Sequence, residues 1–211
     1  MDTAFDTVLA RYNGRAIEEE GRLRQLTPQT MLASRDDYLM HVGEEVGRFL
    51  HALAVARKAK RIVELGTSYG YSTLFLAHAA RKTGGKLITL ELSADKQAYA
   101  RAQLEEAGLA GHVEWLQGDA VELLSGLEGP FDFVLLDLWK ELYIPCLDLC
   151  VPRMEEGGII AADNILFPEI VRPDAQAYRA AVRARPDLQS TLLPIGQGIE
   201  LSTYWPAAGP A

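Results

Sequence analysis

The chain has no apolar run of membrane-spanning length. Its first residues, Met1-Asp2-Thr3-Ala4-Phe5-Asp6, are acidic where an export leader would be basic. A transmembrane or exported protein is not expected, and the chain reads as cytoplasmic. Positive charge is short too: 21 Lys and Arg face 29 Asp and Glu, a formal net charge of -8. That balance repels phosphate backbones and anionic lipid, which argues against nucleic acid and membrane as partners and leaves neutral or cationic small molecules. Cysteine is nearly missing. Cys146 and Cys150 stand four apart on a predicted helix. They suit two small buried thiols and exclude a disulfide framework. The four histidines, His41, His51, His78 and His112, show no metal-ligand spacing. No internal repeat is present, and only residues 207–211 read as a frayed tail.

What is there is an alternating pattern. Residues 1–60 read as a helical segment: Ser34 to Asp37 offers caps, and Leu39, Val42, Val46, Phe49, Leu50 and Leu53 recur at helical spacing. From residue 61 to 205, short apolar strands alternate with amphipathic helices. Strands are expected at Arg61–Leu65, Lys86–Glu91, His112–Gln117, Phe131–Asp137, Gly157–Asp163, Thr191–Pro194 and Gly198–Tyr204. Helices are expected at Tyr71–Lys82, Ala94–Ala107, Ala120–Leu127, Lys140–Val151 and Ala175–Arg185. The fold class is α/β: a doubly wound, mostly parallel, seven-stranded sheet ending in an antiparallel hairpin at Gly196-Gln197-Gly198. The 211 residues read as one domain.

Ligands of such sheets bind beyond the carboxyl ends of the strands. Every parallel strand brings an acid there: Glu64, Glu91, Asp119, Asp137 and Asp163. The turn after the first strand, Glu64-Leu65-Gly66-Thr67-Ser68-Tyr69-Gly70-Tyr71-Ser72, lacks the third glycine of a dinucleotide-binding G-x-G-x-x-G loop and carries an acid just before Gly66. An acidic loop suits a cofactor with an ammonium group and no phosphate, which fits S-adenosylmethionine and not NAD. Glu91 can accept both hydroxyls of a ribose.

These segments, with Asp137-Leu138-Trp139-Lys140 and Asp163-Asn164, resemble the small cation-dependent O-methyltransferases, the family of the catechol and caffeoyl-coenzyme A enzymes. The likeness runs from about Tyr38 to Tyr204. It implies a Rossmann-like methyltransferase fold in which Glu64 takes the methionine ammonium. Met40, Val42, Gly66 and Ser72 would line the methionine end. Glu91 would take the ribose, Gly118, Asp119 and Ala120 would border the adenine, and Asp137 would lie beside the cofactor as well. One departure stands out: the aromatic that the family often places two positions after Gly66 is Ser68 here, with Tyr69 next.

Asp137, Asp163 and Asn164 offer two carboxylates and an amide oxygen, hard donors that suit Mg²⁺, with Ca²⁺ or Mn²⁺ as alternatives. Taken alone, the same residues also fit an Asx turn and a helix cap. The resemblance makes them the metal ligands. It also makes Lys140 the general base, with Glu200 as a contact for a second substrate hydroxyl. Trp139 and Pro168 become walls for a flat ring, and Tyr38 a gate. The implied acceptor is a phenolic, catechol-like small molecule, and the implied assembly is a homodimer. Two rivals remain at this point: an NAD-type oxidoreductase and a non-catalytic S-adenosylmethionine-binding protein.

Overall fold

Seven strands form one sheet: β1 Arg61–Leu65, β2 Lys86–Glu91, β3 Val113–Gln117, β4 Phe131–Leu136, β5 Met154–Ala162, β6 Leu188–Leu193 and β7 Ile199–Tyr204, in the order β3-β2-β1-β4-β5-β7-β6. The first five are parallel, and β7 runs antiparallel to both β5 and β6. The computed structural model describes residues 2–23, 25, 26, 30, 37–167 and 172–206. Pro168, the expected cap residues 34–36 and the tail at 207–211 lie outside them. Among the described residues, seven α-helices pack around the sheet: α1 Thr3–Leu23, α2 Glu44–Ala56, α3 Tyr71–Thr83, α4 Ala94–Glu106, α5 Ala120–Ser125, α6 Tyr143–Cys150 and α7 Arg172–Ala184.

The central strands β1, β2 and β4 and the second half of β5 are buried on both faces, so neighbouring residues serve different cores. Ile62, Leu87, Phe133 and Leu135 pack under α1, α2 and α3. Val63, Leu65, Val134 and Leu136 pack under α5, α6 and α7. The chain crosses from one face to the other between β1 and β4, which lie side by side. A crevice therefore opens beyond their carboxyl ends. The N-terminal helix is part of this packing. Phe5, Val8 and Tyr12 of α1 are almost wholly buried, each contributing about 1.5–3 kcal/mol of apolar transfer. No described helix is long and apolar enough to cross a membrane. Both cysteines are buried free thiols.

Several boundaries differ from the sequence reading. Leu39 and Val42 are buried as expected, yet they lie before α2 and not in it. Met40 (φ 45°) and Gly43 (φ 84°) adopt left-handed backbone that no α-helix can include. The helix expected at Lys140–Val151 opens with a 3₁₀ turn, Lys140–Leu142, and becomes α-helical at Tyr143. Pro145 has no N–H to donate to the Glu141 carbonyl, so an α-helix cannot run unbroken from Lys140. β5 starts at Met154, hidden in the sequence by the exposed pair Glu155 and Glu156. Likewise β6 starts at Leu188, and its interleaved polar residues masked it as a strand.

Candidate active site

Glu64 is wholly buried on β1. Its carboxylate accepts from the hydroxyls of Ser72 (2.6 Å), Thr73 (2.7 Å) and Thr89 (2.6 Å). Ser72 and Thr73 come from the first turn of α3, and Thr89 faces Glu64 across the β1–β2 ladder. Burial pushes the Glu64 carboxyl up to about 7, against the three hydroxyls that favour its ionised form. Next in the chain, Gly66 (φ +101°) carries no side chain because a Cβ there would sit on the carbonyl oxygen of Asp137. The ends of β1 and β4 are thus drawn together, so Gly66 has a structural duty beside any cofactor.

Glu91 is held by backbone: its oxygens accept from Ser68 N (2.7 Å) and Ser93 N (2.9 Å). Each oxygen keeps lone-pair capacity for a further donor. Gly118 bonds back to the Glu91 carbonyl at 2.9 Å. Asp119 caps α5 by accepting from Val121 N and Glu122 N, with Ala120 opening that helix. These residues gather at the ends of β2 and β3.

Ser68 and Tyr69 part ways. Ser68, in left-handed backbone, donates its hydroxyl to the Leu39 carbonyl at 3.3 Å. Tyr69 turns to α1, where the Arg15 guanidinium lies 4.1 Å from its ring centre and Tyr12 donates to its carbonyl at 2.6 Å. Tyr69 is therefore a post for α1. Sequence reasoning missed two further residues here. Arg15 donates to Glu19 at 2.6 Å, and Glu19 accepts from Leu39 N at 2.6 Å. That pair fixes the segment carrying Tyr38, Met40 and Val42. A glutamate four residues after an arginine in a helical segment was its one sequence signal.

At the other end of the crevice, Asp137 follows β4, and Asp163 and Asn164 follow β5. Backbone bonds align them: Asp137 N donates to Leu65 O and Asp163 N to Leu136 O, both at 3.0 Å. Asp163 is 1% exposed, and its Oδ1 is buried with no hydrogen-bond partner among the described residues. Burial pushes its carboxyl up to about 7, and nearby Asp137 adds to the rise. Burial raises Asp137 as well, while Lys140 opposes this. Asp137 caps no helix: the capping position before the 3₁₀ turn is Trp139, which makes no side-chain cap bond.

Lys140 is almost buried between these groups. Its Nζ donates to Leu138 O (3.0 Å), Tyr143 Oη (2.6 Å) and Asn164 Oδ1 (2.8 Å), and it lies 4.0 Å from Asp137 Oδ1. The Tyr143 hydroxyl points its proton at the carbonyls of Leu136 and Asp163, so it can only accept from the lysine. All three ammonium hydrogens are therefore placed. Burial lowers the Lys140 pKa, and Asp137 and Asp163 pull it back up.

Glu200 does not join this cluster. It is buried, and its oxygens accept from Arg179 Nε (2.8 Å) on α7 and Ser190 Oγ (2.9 Å) on β6. Arg183 stands 3.7 Å away. The substrate contact expected of Glu200 gives way to an internal ion pair, because its side chain follows that of its partner Ala162 onto the α7 face. Trp139 (41% exposed) and Met40 (55% exposed) remain open on the rim.

Residues 14–204 match the profile of the O-methyltransferase family, which takes in both ends of the crevice. The chain belongs to that family. Among its relatives, the catechol O-methyltransferase of Mycobacterium tuberculosis is 36% identical over 126 residues, 59% of this chain and 57% of the relative. The match thus spans less than two thirds of that protein's length. The bovine (Bos taurus) catechol O-methyltransferase is 30% identical over 202 residues, 87% of this chain and 73% of the relative. In fold, the O-methyltransferase TomG from Streptomyces achromogenes, solved in complex with S-adenosylmethionine, superposes with a TM-score of 0.75 at 25% identity. That match covers 97% of this chain and 90% of TomG. Family membership removes the NAD-type reading.

Proposed function

We propose that this O-methyltransferase family member moves a methyl group from S-adenosylmethionine to a hydroxyl of a catechol-like phenol, with a divalent cation held by Asp137, Asp163 and Asn164. The observation that carries the reading is the buried Asp163 Oδ1, which has no partner among the described residues. An unmatched buried carboxylate oxygen costs several kcal/mol, roughly, unless a cation answers it. With Asp137 and the Asn164 amide oxygen, the donor set is hard and all-oxygen, as Mg²⁺ or Mn²⁺ requires. When bound, such an ion lowers the pKa of a coordinated hydroxyl and anchors a neighbouring oxygen.

The chain's own groups supply the rest. Glu64 takes the methionine ammonium with a carboxylate already oriented by three hydroxyls. Glu91 takes the ribose hydroxyls. Lys140 accepts the phenol proton at Nζ: burial already favours its neutral form, and cancelling the charge of Asp137 and Asp163 removes what opposes this. As the S–CH₃ bond breaks to leave a thioether, the O–CH₃ bond forms, and the hydroxyl proton ends on the lysine or in water. Holding sulfonium and hydroxyl in line supplies much of the remaining acceleration. A cytoplasmic homodimer of single-domain chains is the remainder of the proposal, resting on the family likeness.

The test is direct. Purified protein is incubated with S-adenosylmethionine, Mg²⁺ and a panel of catechols, hydroxycinnamates and flavonoids, and products are read by mass. Singly methylated catechols are expected. Binding of S-adenosylmethionine with no methylated product from any phenol would favour a non-catalytic binding protein.

A further inference from the structure

The turn between β6 and β7 reaches across to the acceptor end of the crevice. Ile165 N donates to Gly198 O at 3.0 Å, and Leu166 N donates to Gln197 O at 2.9 Å. Gly198 (φ +92°) lies so close that a Cβ there would be 2.6 Å from Leu166 Cγ. The segment after β5 is thus strapped to this turn by its backbone. A side chain completes the strap: Asn164 Nδ2 donates to Gln197 Oε1 at 2.8 Å.

The two amide orientations are not independent. In its ammonium form Lys140 Nζ has only hydrogens to offer, and it lies 2.8 Å from a terminal atom of Asn164. That atom must be the Asn164 oxygen. Its nitrogen then faces Gln197, which must turn its own oxygen to meet it. A directed relay results, from Lys140 to Asn164 to Gln197. The terminal torsion of an asparagine is broad and roughly two-fold, so once Lys140 has lost its proton and can itself accept, Asn164 could present either end of its amide unless Gln197 holds it. Only the oxygen can ligate a cation.

We propose that Gln197 is a positioning residue for the cation site: it holds the Asn164 amide so that Oδ1 faces Lys140 and the two aspartates. This inference rests on the proposed reading of Asp137, Asp163 and Asn164 as ligands. Nothing in the family pattern quoted above assigns Gln197, and it reaches the site only through Asn164.

The experiment measures Mn²⁺ binding to the full chain by electron paramagnetic resonance, with unfolding midpoints taken alongside. Gln197→Met keeps the side chain's length and removes the acceptor. It should weaken Mn²⁺ about tenfold, as the loss of a ligand's supporting hydrogen bond does. Gln197→Glu keeps an acceptor and should bind Mn²⁺ close to the unsubstituted chain. S-adenosylmethionine affinity should be the same in all three. Equal Mn²⁺ affinity in Gln197→Met would overturn the inference while leaving the metal reading intact. So would a Gln197→Glu variant as weak as Gln197→Met, or affinity losses that simply follow the unfolding midpoint. An unsubstituted chain that binds no Mn²⁺ would overturn the metal reading itself, and this inference with it.

Discussion

The two ends of the crevice are built on different terms. At the cofactor end, each carboxylate is already answered by the chain: Glu64 by three hydroxyls, Glu91 by two backbone N–H groups. At the acceptor end, the half-buried Asp137 and the buried Asp163 share one lysine, and Asp163 Oδ1 faces no donor among the described residues. The difference follows from what carries the groups. Glu64 and Thr89 sit on paired strands, and Ser72 and Thr73 open a helix that packs on them, so fold and site form together. Asp163 and Asn164 lie just past β5, in a segment held by a turn from elsewhere in the chain. One end is preorganised; at the other, a buried carboxylate oxygen is left unanswered among the described residues.

The largest expected effect concerns metal. Excess chelator should lower methyl transfer by roughly 10³-fold or more, the scale of losing several kcal/mol of charge stabilisation. S-adenosylmethionine binding should stay unchanged, and Mg²⁺ or Mn²⁺ should restore turnover. Full turnover in chelator, with elemental analysis finding no bound metal, would erase the contrast. Next comes Lys140→Met, with an expected loss of about 10²–10⁴-fold in kcat. The loss should shrink for more acidic phenols, which give up the proton with less help. Because Nζ also bonds Asn164 Oδ1, Mn²⁺ affinity should fall too, while the cofactor end keeps its affinity. A kcat defect that ignores phenol acidity would leave Lys140 an anchor and not a base.

How much of this was legible in the sequence follows the same division. The strand acids could be placed on one rim because strand length and alternation fix where a parallel strand ends. The mostly parallel sheet and the antiparallel hairpin followed from the same pattern, while the strand order did not. Thr89 was not singled out, yet register alone sets it opposite Glu64. The relay through Gln197 was not legible, since it depends on where a turn over thirty residues away comes to rest, roughly the kind of long-range closure that local pattern does not encode. Glu200 shows the converse. Its place in the sequence matched a family role, but the neighbours that claim its carboxylate, Arg179 and Ser190, lie on elements whose packing only the fold reveals. The left-handed residues Met40 and Gly43 ended a helical pattern that hydrophobic spacing alone would have continued.

A third prediction probes the preorganised end. Glu91→Ala should weaken S-adenosylmethionine by about 1–3 kcal/mol in calorimetry, since two ribose hydroxyls lose a charged acceptor. The backbone amides of Ser68 and Ser93 lose theirs as well, so their hydrogen exchange should quicken in the free protein. Glu91→Gln should recover part of both effects. An unchanged dissociation constant in Glu91→Ala would remove Glu91 from the ribose.

The smallest effect comes from Glu64 and is read in protons. Its carboxyl titrates near 7 in the folded protein, against 4.5 ordinarily, because burial outweighs three donated hydroxyls. A folded pKa above the unfolded one means that the native state binds the proton more tightly. Stability from this group is therefore full below about pH 4.5 and is lost as pH rises through 7. Glu64→Gln cannot ionise, and the three hydroxyls can rotate to suit an amide. The variant should lose that portion of the pH dependence and gain stability relative to the unsubstituted protein at pH 8. Ligand binding reverses the sign. An ammonium group arriving beside Glu64 favours the carboxylate, so S-adenosylmethionine should drive a proton off near pH 7. Calorimetry in buffers of different ionisation enthalpy measures that release directly. It should be present in the unsubstituted chain and absent in Glu64→Gln, whose S-adenosylmethionine affinity should also fall. Equal proton release from both proteins would show that Glu64 does not meet the ammonium, and the cofactor end would then be preorganised for some other contact.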